Sequence, residues 1–265
     1  MKRFLLWGLP LGAALVTAVV FAAGFSAALS GRLGTPVGDA PPEATPTPVP
    51  AAGNVFRVVA LGDSLTRGAG DDGKGGYPGR VAEGLRKRGL TVEIDNLGVD
   101  GAETGDLLTK VSQPGARERI ARADLILMSI GGNDLTHSVP ALGTGASDAD
   151  PAIATLGRAR GNLLEALKLV RAANAKAPMR LLGLYDPFVS DAEGRRLARE
   201  VLLRYNTMLA EATFHAPHAL LVPISDLFEE RADRLSPDRF HPGPSGYDEI
   251  ASRVLATLQT QAPRG

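Results

Sequence analysis

The residues able to do chemistry fall in a few short stretches. In RVVALGDSLTRGAG, residues 57–70, an apolar run stops at Gly62 and Ser64 stands two residues further on. A serine on such a turn is either a helix cap or a hydroxyl aimed at a substrate. A nucleophilic serine needs a base. Of the four histidines, His137, His215, His218 and His241, only His241 lies in a loop ahead of the last helical segment with a carboxylate, Asp238, three residues before it. That spacing lets the carboxylate accept the imidazole Nδ1–H and leaves Nε2 free to take a proton. The competing reading is an Asx turn at Pro237 and Asp238 and a surface histidine at 241. His137 is a weaker candidate for the base. His215 and His218 flank a helix end and read as structural or solvated.

Acyl transfer also needs donors for a developing oxyanion. The sequence offers three: the backbone N–H of Ser64, the backbone N–H of Gly98 and the side-chain amide of Asn133. A glycine at 98 lets a backbone approach a substrate closely. Asn133 follows two glycines, which equally suits a loop-capping asparagine.

These side chains can converge only if the fold brings them to one rim. From Val55 the chain alternates between apolar runs and helical patterns. VFRVVAL, LTVEIDNLG, ADLILMSIGG, MRLLGLYDP and ALLVPI read as five strands. Helical spacing recurs over 77–89, 104–111, 153–175, 194–213 and 247–258. This alternation predicts an α/β fold: a five-stranded parallel sheet covered by helices on both faces, in three α/β/α layers. Ligands of such sheets bind beyond the carboxyl ends of the strands. Ser64, Gly98 and Asn133 each follow a strand end, and Asp238 and His241 lie between the last strand and the last helix.

ALGDSLTRG, NLGVDGAET, SIGGNDL and DRFHPGPSGY together resemble, in order, the sequence blocks of the SGNH (GDSL) hydrolase superfamily. The resemblance covers essentially all of the chain from Val55 to the last helix and implies a flavodoxin-like fold. It implies Ser64 as nucleophile, His241 as general base and Asp238 as the group orienting it. It implies an oxyanion hole of the Ser64 and Gly98 amides with Asn133. The implied activity is carboxylic ester hydrolysis through an acyl-enzyme, without metal or organic cofactor. The layout is similar to the bacterial exported lipase/acylhydrolase-like branch. Two other glycine–serine motifs fail here. An α/β-hydrolase elbow needs a second glycine where Thr66 stands, and a phosphate loop needs Gly-Lys followed by Ser or Thr.

Composition narrows the partners. Lys+Arg and Asp+Glu balance at 29 each, which gives no electrostatic case for nucleic acid. The chain has no cysteine, excluding disulfides, thiolate chemistry and a lipid-modified N-terminal cysteine. Residues 4–29 carry no charge and follow Lys2 and Arg3. The run exceeds the apolar region of about 7–15 residues usual in signal peptides, so residues 1–32 read as a membrane anchor in preference to a cleaved signal peptide. Residues 33–54 read as a Pro/Ala/Thr-rich linker and 55–265 as the hydrolase domain. An exported monomer acting on a small-molecule or lipid ester is expected. A carbohydrate O-acetyl esterase or acyltransferase at the cell envelope uses the same residues, and an inactive surface-binding module is the reading from another class. Residues 67–79 are rich in glycine and predict a mobile pocket loop, with residues 136–151 as a mildly apolar rim.

Overall fold

The computed structural model describes residues 55–71, 73, 75–138, 150–187 and 192–258. The N-terminal apolar run, the linker and residues 139–149 of the expected rim lie outside the described residues. Among the described residues, no helix is long and apolar enough to cross a membrane.

Five parallel strands form one sheet in the order β2-β1-β3-β4-β5. They are β1 (Val55–Gly62), β2 (Thr91–Gly98), β3 (Leu125–Ser129), β4 (Met179–Leu182) and β5 (Ala219–Val222). The pleat sends alternate side chains to opposite faces. Val59, Leu61, Ile126 and Met128 enter one core, while Val58, Ala60, Leu125 and Leu127 enter the other. This two-sided burial is why β1 and β3 read as nearly unbroken apolar runs.

The first core is closed by α3 (Thr104–Ser112), α4 (Pro114–Ala121), α6 (Asp150–Ala173) and α7 (Ala192–Phe214). The second is closed by α1 (Ser64–Arg67), α2 (Gly76–Lys87), α8 (Ser225–Phe228) and α9 (Pro244–Ala256). The expected α/β/α layering is therefore present. Helix α4 and the one-turn α8 were not predicted, because each buries only two residues and leaves no periodic apolar stripe to detect. Strand β4 is shorter than its apolar run suggests. Beyond Leu182, the Leu184 N–H donates to Asn206 Oδ1 at 2.7 Å, so a helix side chain takes over from the sheet.

The loop after α1 also departs from expectation. Its described ends are anchored by buried bonds. The Asp71 carboxylate pairs with Arg80 and accepts the Gly76 N–H at 2.8 Å. Tyr247 Oη–H donates to Ala69 O at 2.7 Å. The glycines at 68, 70 and 75, all at positive φ, allow turns around a buried acid.

Candidate active site

Strand β1 ends in a turn only glycine can make. Gly62 has φ 134°, and a Cβ there would fall 1.8 Å from Ser129 O of the neighbouring strand. Asp63 then caps the one-turn helix α1 by accepting the Leu65 N–H at Oδ1, 3.1 Å away. Ser64 is the first residue of that turn and is almost fully buried. The turn is clamped to β2 by Asn96, whose Nδ2 donates to Thr66 O at 2.7 Å. Behind Ser64 lies a buried polar chain. Thr66 Oγ1 is 3.3 Å from Tyr77 Oη and 2.7 Å from Ser129 Oγ, and the Ser129 hydroxyl donates to Asp63 Oδ1 at 2.6 Å. Burial raises the Asp63 carboxyl above its ordinary pKa, against the lowering effect of the Ser129 and Leu65 hydrogen bonds.

The 235–242 loop brings the candidate base, His241. His241 Nε2 lies 2.8 Å from Ser64 Oγ, and His241 Nδ1 lies 2.7 Å from Asp238 Oδ2. Asp238 Oδ1 accepts three further bonds: from Ser236 Oγ at 2.7 Å, Phe240 N at 2.8 Å and His241 N at 2.9 Å. Burial opposes the charge on Asp238. The hydrogen bonds from Ser236, His241 and the two amides outweigh it and hold the carboxyl well below the usual carboxylate range. Tyr185 steadies the loop from the end of β4 by donating to Phe240 O at 2.6 Å.

Asn133 belongs to a helix not foreseen in the sequence, α5 (Gly132–Ser138). Its Nδ2 donates one hydrogen to Ala102 O at 2.8 Å, leaving the second. Asp134 beside it accepts the Thr104 N–H at 2.9 Å and the Thr104 hydroxyl at 2.6 Å, tying α5 to the start of α3. Asn133 and Ser64 line one cleft with Leu135, Leu184 and Leu202, and its wall is almost wholly apolar.

Ser64, Asp238, His241 and Asn133 are thus brought together. Gly98 needs a correction. Its N–H donates to Asn96 Oδ1 at 3.0 Å, so the amide serves the clamp on α1 and is not free for an oxyanion. Gly101 in the following turn was not foreseen. Among the described residues, none accepts a hydrogen bond from the N–H of Gly101 or of Ser64. The only signal for Gly101 was its place in NLGVDGAET, where two glycines compete. His137 pairs with Glu103 at 2.8 Å and not with Ser64. His218 sits in the turn before β5, with φ 62°, and its carbonyl accepts the Met179 N–H. Among the described residues, no group of three or more His, Asp or Glu could hold a metal ion.

The profile of the GDSL-like Lipase/Acylhydrolase family matches residues 60–249. The chain belongs to this family. The GDSL hydrolase is 31% identical over 210 residues to the uncharacterized protein YpmR of Bacillus subtilis, covering 77% of this chain and 82% of that one. It is 29% identical over 211 residues to the spore germination lipase LipC of Bacillus licheniformis, covering 76% and 95%. Its fold is similar to that of the lipase Lip_vut3 from a goat rumen metagenome, with a TM-score of 0.69 and 25% identity, covering 78% of this chain and 99% of that one. The GDSL hydrolase is a carboxylic ester hydrolase with the parallel α/β fold of its relatives.

Proposed function

We propose that the GDSL hydrolase cleaves esters through Ser64, His241 and Asp238. The observation that carries this reading is the unbroken relay Ser64 Oγ–His241 Nε2 and His241 Nδ1–Asp238 Oδ2, at 2.8 and 2.7 Å, with Ser64 on the wall of an apolar cleft. His241 Nε2 takes the proton as Ser64 Oγ attacks the ester carbonyl. Asp238 holds the imidazole tautomer and stabilises the imidazolium. His241 returns the proton to the leaving alcohol, then activates the water that hydrolyses the acyl-enzyme. The oxyanion is held by the Ser64 N–H and the second Nδ2 hydrogen of Asn133. The Gly101 N–H, in the turn that Asn133 grips, is the candidate third donor.

The apolar cleft favours an acyl chain longer than acetyl. The names of LipC and Lip_vut3 support the same lipase-like reading. The test is hydrolysis of p-nitrophenyl esters from acetyl to palmitoyl by the full chain, with Ser64→Ala as the blank. The expected result is a maximum at medium or long chains, lost in Ser64→Ala by about 10³-fold or more. A Ser64-dependent maximum at acetyl transfers the reading to a carbohydrate O-acetyl esterase. Turnover retained in Ser64→Ala overturns the nucleophile.

The reading extends to residues 1–32 as a membrane anchor and 33–54 as a spacer, with a monomeric enzyme outside the cytoplasm. It rests on the uncharged run 4–29 behind Lys2 and Arg3. Recovery of the full chain in the cytosolic fraction of its host overturns this part alone.

A further inference from the structure

Asp238 is an awkward group to position. Its side chain is 46% exposed. Its orientation therefore depends on hydrogen bonds. Oδ2 faces His241 Nδ1, and Oδ1 collects three donors. Two of these are amides of the same tight loop. The third, the Ser236 hydroxyl, is the only one from a side chain.

Ser236 is well placed to be rigid. It is 5% exposed, and its own N–H donates to His241 O at 2.8 Å, closing the loop across the histidine. Its side chain is pressed against the loop that follows the nucleophile's helix. A Cβ added at Gly70 would come 2.8 Å from Ser236 Cβ, 2.9 Å from Ser236 Oγ and 2.7 Å from Pro242 O. Gly70 has φ 82° and is followed by Asp71, whose carboxylate is buried against Arg80. The nucleophile's loop thus meets the base's loop at Ser236.

We infer that Ser236 is a positioning residue for the reaction: buried where Gly70 approaches closely, its hydroxyl fixes the Asp238 carboxylate so that Oδ2 stays on His241 Nδ1. This rests on the relay proposed above.

The test is Ser236→Ala in the full chain, with thermal unfolding as the check of fold. A hydrogen bond to a charged group is strong enough that kcat should fall about 10- to 100-fold, with KM within about twofold of wild type. In ¹H NMR, the downfield Nδ1–H resonance of His241 should shift or vanish. Ser236→Cys keeps a similar shape but only a weak donor, and should fall likewise. Wild-type kcat in either variant, a change confined to KM, or an unmoved Nδ1–H resonance overturns the inference. A Ser64-dependent rate that Ser236→Ala leaves intact removes only Ser236. Turnover retained in Ser64→Ala removes the relay itself.

Discussion

Ser64 and His241 are 177 positions apart in the chain and 2.8 Å apart in space. Ser64 leaves the carboxyl end of β1, near the middle of the sheet, and His241 arrives in the loop before α9. The approach is guided from both sides. Asn96 clamps the helix of Ser64 to β2, while Tyr185 and Ser236 fix the loop of His241. The serine and its base are thus positioned by separate elements that meet at one rim.

The depressed Asp238 carboxyl shapes the acid side of the stability profile. Its folded pKa lies below the ordinary carboxylate range, so the stability contributed by its charge is present above about pH 4 and is lost only as pH falls further. Asp238 therefore stays ionised down to about pH 4. The stability difference between wild type and Asp238→Asn, read from urea unfolding, should shrink as pH falls below about 4. A difference unchanged by acidification would show that the Asp238 charge contributes nothing.

Asn133 should act on kcat. One Nδ2 hydrogen is engaged by Ala102 O, and the other is available to the oxyanion. Asn133→Ala is expected to lower kcat about 10²- to 10³-fold with little change in KM, as for removal of one oxyanion donor elsewhere. Steady-state kinetics on a single p-nitrophenyl ester checks this. A wild-type kcat would remove Asn133 from the hole.

Asp134, its neighbour, should act on stability. Its two oxygens satisfy the buried N–H and hydroxyl of Thr104. Burial raises its carboxyl pKa, with the Thr104 bonds working the other way. Asp134→Ala leaves the Thr104 N–H without its acceptor and the Thr104 hydroxyl with only the Asn162 Nδ2 donor, and is expected to cost about 3 kcal/mol, read from urea unfolding. A change below about 1 kcal/mol would mean that water replaces the carboxylate.

Much of this was legible before any coordinates. Strands β1 and β3 were visible because burial on both faces leaves an unbroken apolar run. Ser64, Asn133, Asp238 and His241 were visible because the chemistry needs those residue types just beyond strand ends. Gly98 was misread for a physical reason. Whether an amide is free depends on its acceptor, and the acceptor here is a side chain, Asn96 Oδ1, whose orientation is set by the Thr66 carbonyl of another element. Within residues 67–79, the glycine content gives no sign of the buried Asp71–Arg80 pair.

The sequence by itself determined the layered α/β architecture and singled out the residues proposed to perform the chemistry. Apolar periodicity and turn residues are local properties, and reactive side chains are identified by type. Only the tertiary structure decided which donors are free, what holds Asp238 in place, and that the described ends of the glycine-rich loop are tied down. Those outcomes depend on which way side chains and amides point, with partners as near as Asn96 to Gly98 and as far as Tyr247 from Ala69, and each is settled by which partner lies within about 3 Å.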